Sequence, residues 1–370
     1  MMVRFDRIVI GAGLYGLYAA ARSAERGMTV LVLECANDSF RRSSYVNQAR
    51  IHNGLHYPRS LETALKCGRF YRRFIEDHHE CVNEGFEAVY AVAAKDSLVG
   101  AHDFENLMGK LGLDYQLISA SDIFLPGSVE AAYKVREATF DPALLRQHYM
   151  DLIVKYKSLV EIRFGYHICD IRYRDGEYVV NGEFCAPFLL NTTYASTNQV
   201  ASMLTGDLID TKHELCEVVL CDVSGPYENL GITVMDGGFF SLMPWGSSSI
   251  HTLTSVHHTP HFQCHSPHPQ FECMSGREGC SGINLADCNE CQYRPQSAFN
   301  YMMAIVERFL QEPQAIKYNR SLYAVKTVLS AAENDDRRPT VIRQYEDFPG
   351  FYSVLSGKIS TVYELDDILV

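Results

Sequence analysis

Residues 4–34, RFDRIVIGAGLYGLYAAARSAERGMTVLVLE, constrain the fold of this chain more than any other stretch. An apolar run (Ile8, Val9, Ile10) meets Gly11, Gly13 and Gly16. A small-residue helix pattern follows (Leu17, Ala19, Ala20, Ala21), and a second apolar run ends in Glu34. Strand, glycine turn, helix, strand and acid in this order form the dinucleotide-binding βαβ fingerprint. Gly11 permits the tight turn, Gly13 lets backbone approach a pyrophosphate, and Gly16 lets the helix pack close to the strand. Leu14 and Tyr15 open the helix, where free N–H groups and the positive dipole end face phosphates. Glu34 is placed to accept hydrogen bonds from ribose hydroxyls, and its charge disfavours a 2′-phosphate.

The remaining chain is long enough for two lobes with cores of their own. A net charge of −12 argues against a nucleic-acid or anionic-membrane surface. No apolar run approaches a transmembrane span, and the fingerprint starts close to Met1, so the expected location is cytoplasmic. In that setting the twelve cysteines are expected to be thiols or metal ligands rather than disulfides.

Beyond the fingerprint, residues 61–80 predict a helix with Leu61, Leu65, Phe70 and Phe74 as its core stripe. FDPALL at 140–145 predicts a helix start, with Asp141 as N-cap and Pro142 in the first turn. Residues 168–180 predict a hairpin turning at Asp175-Gly176, and residues 214–256 an antiparallel sheet. The strand-rich lobe is inserted, and small-residue turns return at Ser356-Gly357-Lys358 before a final helix.

A second phosphate segment follows Glu34. Arg41, Arg42, Ser43 and Ser44 offer cations, hydroxyls and loop amides to a pyrophosphate, and Asn47 to His52 reach past it toward the reacting ring. The string RIHNGLHYP at 50–58, continued by SLETALKCG at 60–68, resembles the His-x-Gly-x-x-Tyr-Pro segment of L-2-hydroxyglutarate oxidases and dehydrogenases. Those are FAD enzymes of the D-amino-acid oxidase-like superfamily. The resemblance covers about half the chain and implies an α/β protein: a Rossmann-like, GR2-type FAD-binding lobe (1–85, 140–205 and 320–370) with an inserted antiparallel-sheet substrate lobe (86–139 and 206–319).

It also implies roles for individual residues. Gly11, Gly13, Gly16 and Glu34 hold the ADP part of FAD, Ser43 and Ser44 sit by the pyrophosphate, and Ile168 contacts the adenine. Asn47 and Gln48 run beside the flavin ring. Arg337, Arg338 and Pro339 lie where the family turns back to the flavin. His52 and Tyr57 line the substrate site, and Gly357 and Lys358 meet the pyrimidine edge of the flavin. A lysine and backbone amides there stabilise the negative charge of the reduced ring. His52 is a candidate base for a hydroxyl proton, the alternative being a structural histidine. No cysteine stands at an evident attachment site, so FAD is expected to be dissociable. Gln48-Ala49-Arg50, Asn191-Thr192-Thr193-Tyr194-Ala195 and Ile359-Ser360-Thr361-Val362 depart from the family pattern, which puts 2-hydroxyglutarate itself in question.

Arg50 is the first candidate for a substrate carboxylate, Arg59 the second. Trp245 is a candidate cover for the ligand. Residues 257–291 are rich in His and Cys. Cys288 and Cys291 form a C-x-x-C pair with Cys273 and Cys280 upstream, so a structural zinc is one reading, packed thiols in a lid a second and a thiol-disulfide pair a third. The expected function is an FAD-dependent oxidase or dehydrogenase that moves hydride from a CH–OH or CH–NH carbon of a small 2-hydroxy acid, amino acid or sugar derivative to flavin N5. Oxygen or a quinone would take the electrons onward. The alternatives are a flavin monooxygenase and a non-catalytic, metal-stapled flavoprotein.

Overall fold

The computed structural model describes residues 2–276, 278–333 and 339–370. Its centre is a six-stranded sheet in which Val160–Arg163, Val30–Leu33, Arg7–Ile10, Phe188–Asn191, Phe348–Leu355 and Val341–Tyr345 lie side by side in that order. The first five run parallel. Buried on both faces, the innermost strands read as unbroken apolar runs rather than alternating ones. The helix Leu14–Ala24 covers one face, and nearly all of its residues are buried. The helix Pro142–Lys155 packs beside it. Asp141 caps this second helix as expected, accepting from the Ala143 and Leu144 amides at 2.8 and 3.0 Å.

The hairpin Ile171–Arg174/Glu177–Val180 turns through Asp175 and Gly176, both at positive φ, inside a smaller four-stranded sheet. The second lobe is a nine-stranded, largely antiparallel sheet. Its longest ladder pairs Thr211–Val223 with Ile316–Leu329. The boundary expected at residue 320 therefore falls inside a strand of this sheet.

Two expectations need correction. In the helix Leu61–Asp77, Phe70 and Phe74 are buried, but Leu61 is 40% and Leu65 52% exposed. The buried stripe runs instead through Thr63, Ala64, Cys67, Phe70 and Phe74. Gly54 packs against this face: a Cβ there would stand 2.6 Å from the Ala64 carbonyl oxygen, so the close approach requires glycine at 54. The final helix is a 3₁₀ run, Ser360–Asp367, rather than an α-helix.

Candidate active site and dinucleotide cleft

A cleft opens where the first strand meets the first helix. Gly11, Gly13, Glu34, Arg42, Ser43, Ser44 and Ile168 all line it, with Thr192 and Thr193 opposite. The glycines are there for space. Gly11 sits at φ +101°, and a Cβ on Gly16 would lie 1.8 Å from the Gly11 carbonyl oxygen. A Cβ on Gly13 would stand 2.8 Å from Ser44 Oγ. The Glu34 carboxylate is held by the amides of Ala12 (2.7 Å) and Ala36 (2.8 Å). Ile10, Leu33, Ile168, Val200 and Met203 supply apolar wall. A glycine-floored slot with an acid near one end and arginine and serines beyond it fits an adenine dinucleotide. Gly16→Ala should give protein that purifies without visible flavin absorbance and stays colourless when FAD is added; a yellow product would refute the close-packing argument.

The segment after Ser44 folds back on itself. Asn47 donates to the carbonyls of Ser43 (3.0 Å) and Ser44 (3.1 Å) and accepts from the Ala49 amide, which fixes Ala49 at positive φ. Gln48 donates to Thr254 Oγ1, crossing to the second lobe. Arg50 then pairs as a strand with Thr139. This brings its guanidinium onto Glu137, with Nη2 2.8 Å from both carboxylate oxygens and Nε 3.2 Å from one. Tyr90 and Ser241 complete the cluster, which is fully buried. Burial works against the Arg50 charge, but Glu137 outweighs it and raises the guanidinium pKa. Arg50 is thus committed to Glu137 and does not present itself to a substrate carboxylate. Arg59 is likewise paired with Asp236.

His52, His56, Tyr57 and Lys358 converge beside that cluster. The His52 ring centroid lies 5.7 Å from that of Tyr57 and 5.1 Å from that of His56, and Lys358 Nζ stands 4.0 Å over the Tyr57 ring. His52 Nδ1 is buried with no hydrogen-bond partner among the described residues. Burial pushes the His52 pKa well below 6.5, helped by Lys358, His56 and Arg50. Burial, followed by Arg50, lowers Lys358 to about 7.

The first helix positions this lysine. Tyr15 Oη donates to the Lys358 carbonyl oxygen at 2.7 Å and lies 3.0 Å from Thr361 Oγ1. Tyr15 therefore anchors the C-terminal turn. The Gly357 amide donates to Thr340 Oγ1 (2.9 Å). The Leu14 amide donates to Ser44 Oγ (3.0 Å). Trp245 packs edge-on against Tyr45 in the core. Arg337 and Arg338 lie outside the described residues. Sequence reasoning missed Glu137, Tyr90 and His56. The first two carry no local signal, because only strand pairing brings them to Arg50.

The model of the family described as DAO, FAD dependent oxidoreductase, matches residues 6–270, well over half of the chain. The chain belongs to the DAO family of FAD-dependent oxidoreductases. This DAO-family enzyme is 26% identical over 357 residues to the FAD-dependent monooxygenase FPY4 of Fusarium mangiferae, covering 96% of this chain and 87% of that one. Its fold matches the glycine oxidase of Geobacillus kaustophilus with a TM-score of 0.71 at 10% identity, covering 98% and 91% of the two chains. The L-α-glycerophosphate oxidase of Mycoplasma pneumoniae matches with a TM-score of 0.71 at 16% identity, covering 100% and 95%. Likeness to L-2-hydroxyglutarate enzymes remains a resemblance of one segment.

Family membership replaces the alternative of a non-catalytic module. The zinc expectation is also corrected: among the described residues no group of three or more His, Cys, Asp or Glu side chains could hold a metal ion. Cys273 and Cys288 instead pack against Phe271, Leu285 and Tyr323, Cys280 and Cys291 are buried, and burial pushes the Cys288 thiol up to about 12. A neutral, apolar-packed thiol is a poor metal ligand. No helix among the described residues is long and apolar enough to cross a membrane.

Proposed function

We propose that this enzyme oxidises a hydroxyl-bearing carbon of a small substrate, a polyol or sugar derivative. FAD would sit with its adenosine end at Glu34 and Ile168, its phosphates near Gly11 to Gly16 and Arg42 to Ser44, and its reacting end toward Gln48, His52, Tyr57 and Lys358. When bound, FAD supplies the two-electron acceptor. The observation that carries the reading is the half-buried His52, with an unpartnered Nδ1, converging on Tyr57 and Lys358.

A histidine kept neutral by its surroundings is ready to accept a proton. As the C–H carbon gives up hydride, the hydroxyl proton passes to an imidazole nitrogen of His52, and the carbon becomes a carbonyl. Tyr57 and Lys358 narrow the site and keep water from competing. A substrate held by its carboxylate, an amino acid or a 2-hydroxy acid, would call for a free arginine, and both arginines nearby are already paired. That favours a polyol or sugar derivative over either acid. Anaerobic stopped-flow mixing with polyols, sugars, 2-hydroxy acids and amino acids tests the proposal. Loss of visible flavin absorbance with a polyol or sugar supports it, and reduction by 2-hydroxy acids or amino acids alone would sink it. The name of the FPY4 relative favours monooxygenation as a second reading. Nicotinamide-dependent incorporation of labelled dioxygen into product would establish that instead.

Lys358 gives a pH test. Its pKa is depressed in the fold, so between about 7 and the ordinary lysine value of 10.5 the unfolded chain binds the extra proton. Stability of the apoprotein should therefore rise with pH across that window. Lys358→Met should flatten the rise and leave the apoprotein no less stable at neutral pH. Denaturant melts at several pH values check both points.

A further inference from the structure

Residues 266–298 run across the outside of the dinucleotide cleft as a strap. All but Arg277 are described. The family match stops at residue 270, so most of the strap lies beyond it. One end is pinned to both lobes and the other to the second. Asn198 and Thr211 donate to the carbonyls of Pro267 (2.9 Å) and Ser266 (3.2 Å) at one end. The buried Glu217 carboxylate accepts from the Ala298 amide (2.8 Å) at the other. Between these pins, Phe271 and Leu285 pack with Leu215, Tyr323 and Val325.

The middle of the strap reaches the cleft itself. Asn284, Leu285, Ala286 and Cys288 line it together with the fingerprint glycines. Arg42, which lines the same cleft, donates to the Leu285 carbonyl. Arg41 pairs with Asp287 (3.3 Å) and with Glu290. Asn289 is doubly bonded to the Tyr323 backbone, donating to its carbonyl (3.2 Å) and accepting from its amide (2.8 Å). Two adjacent arginines of the first lobe thus grip a segment of the second across the slot.

We propose that this strap is the outer wall of the FAD seat and sets how fast FAD leaves. The inference rests on the cleft being that seat. FAD buried beneath the strap can depart only when the Arg41, Arg42 and Asn289 contacts have opened, so loosening them raises the release rate without touching the glycine floor.

The test uses the FAD-loaded protein and follows the fluorescence of released FAD after dilution. Asn289→Ala removes both bonds to Tyr323 and should speed release about tenfold. The double variant Asp287→Asn/Glu290→Gln keeps side-chain shape and removes only the charges facing Arg41, and should speed release about threefold. Apoprotein melting curves show whether each variant is folded. Release within measurement error of the parent for both folded variants overturns the strap's role. If Asn289→Ala does not fold, the charge variant alone decides. Failure of the unaltered protein to bind FAD would instead refute the seat itself.

Discussion

Replacing His52 by asparagine slows flavin reduction by substrate roughly 100- to 10,000-fold, the range removed with a general base, while FAD stays bound. The expectation follows from position. His52 lies beyond the cleft-lining residues, next to Tyr57 and Lys358, and makes no hydrogen bond that holds the phosphate segment together. Its depressed pKa also fixes the pH profile. In the parent enzyme the acid limb of the rate is displaced well below the ordinary histidine range, because burial, with Lys358, His56 and Arg50, holds the imidazole neutral. The variant lacks that limb. An unchanged reduction rate, or an acid limb that survives the substitution, would remove His52 from the chemistry.

Glu137→Gln should be the most destabilising single change at the site, about 3–5 kcal/mol, because it leaves the Arg50 guanidinium buried without its counter-charge. Urea unfolding monitors it. Pairing Glu137→Leu with Arg50→Met should restore much of the loss, since an apolar pair of similar volume carries no desolvation penalty. If the single variant is as stable as the parent, the cluster is not the closed ion pair described. Activity gives a second readout: an unbalanced Arg50 charge pushes His52 and Lys358 further toward their neutral forms, in the direction it already acts.

The fingerprint lobe was readable because its signals are local. Apolar runs of three and four residues, three spaced glycines and Asp141 before Pro142 each specify one turn or one strand, and the structure places them as read. Within residues 50–68, His52 and Tyr57 are close in sequence, and the structure sets their rings 5.7 Å apart. Arg50 was misread because its partner is 87 residues away and arrives only through the pairing of Arg50–Ile51 with Ala138–Phe140. The helical stripe was misread at Leu61 and Leu65, which lie off the face where Gly54 docks on the Ala64 backbone, a contact that periodicity does not announce. The Cys/His spacing looked like ligand spacing, yet the thiols pack into an apolar cluster, which pattern alone does not distinguish.

The parallel ladder has a consequence for how the molecule assembles. Ile10 pairs with Asn191, and Asn191 with Ser353, so the sheet at the floor of the cleft closes only when three far-separated stretches have met. Such long-range closure is slow and leaves strand edges open while it waits. Coenzyme supplied at the start of refolding would find no finished slot to template until the last strand arrives.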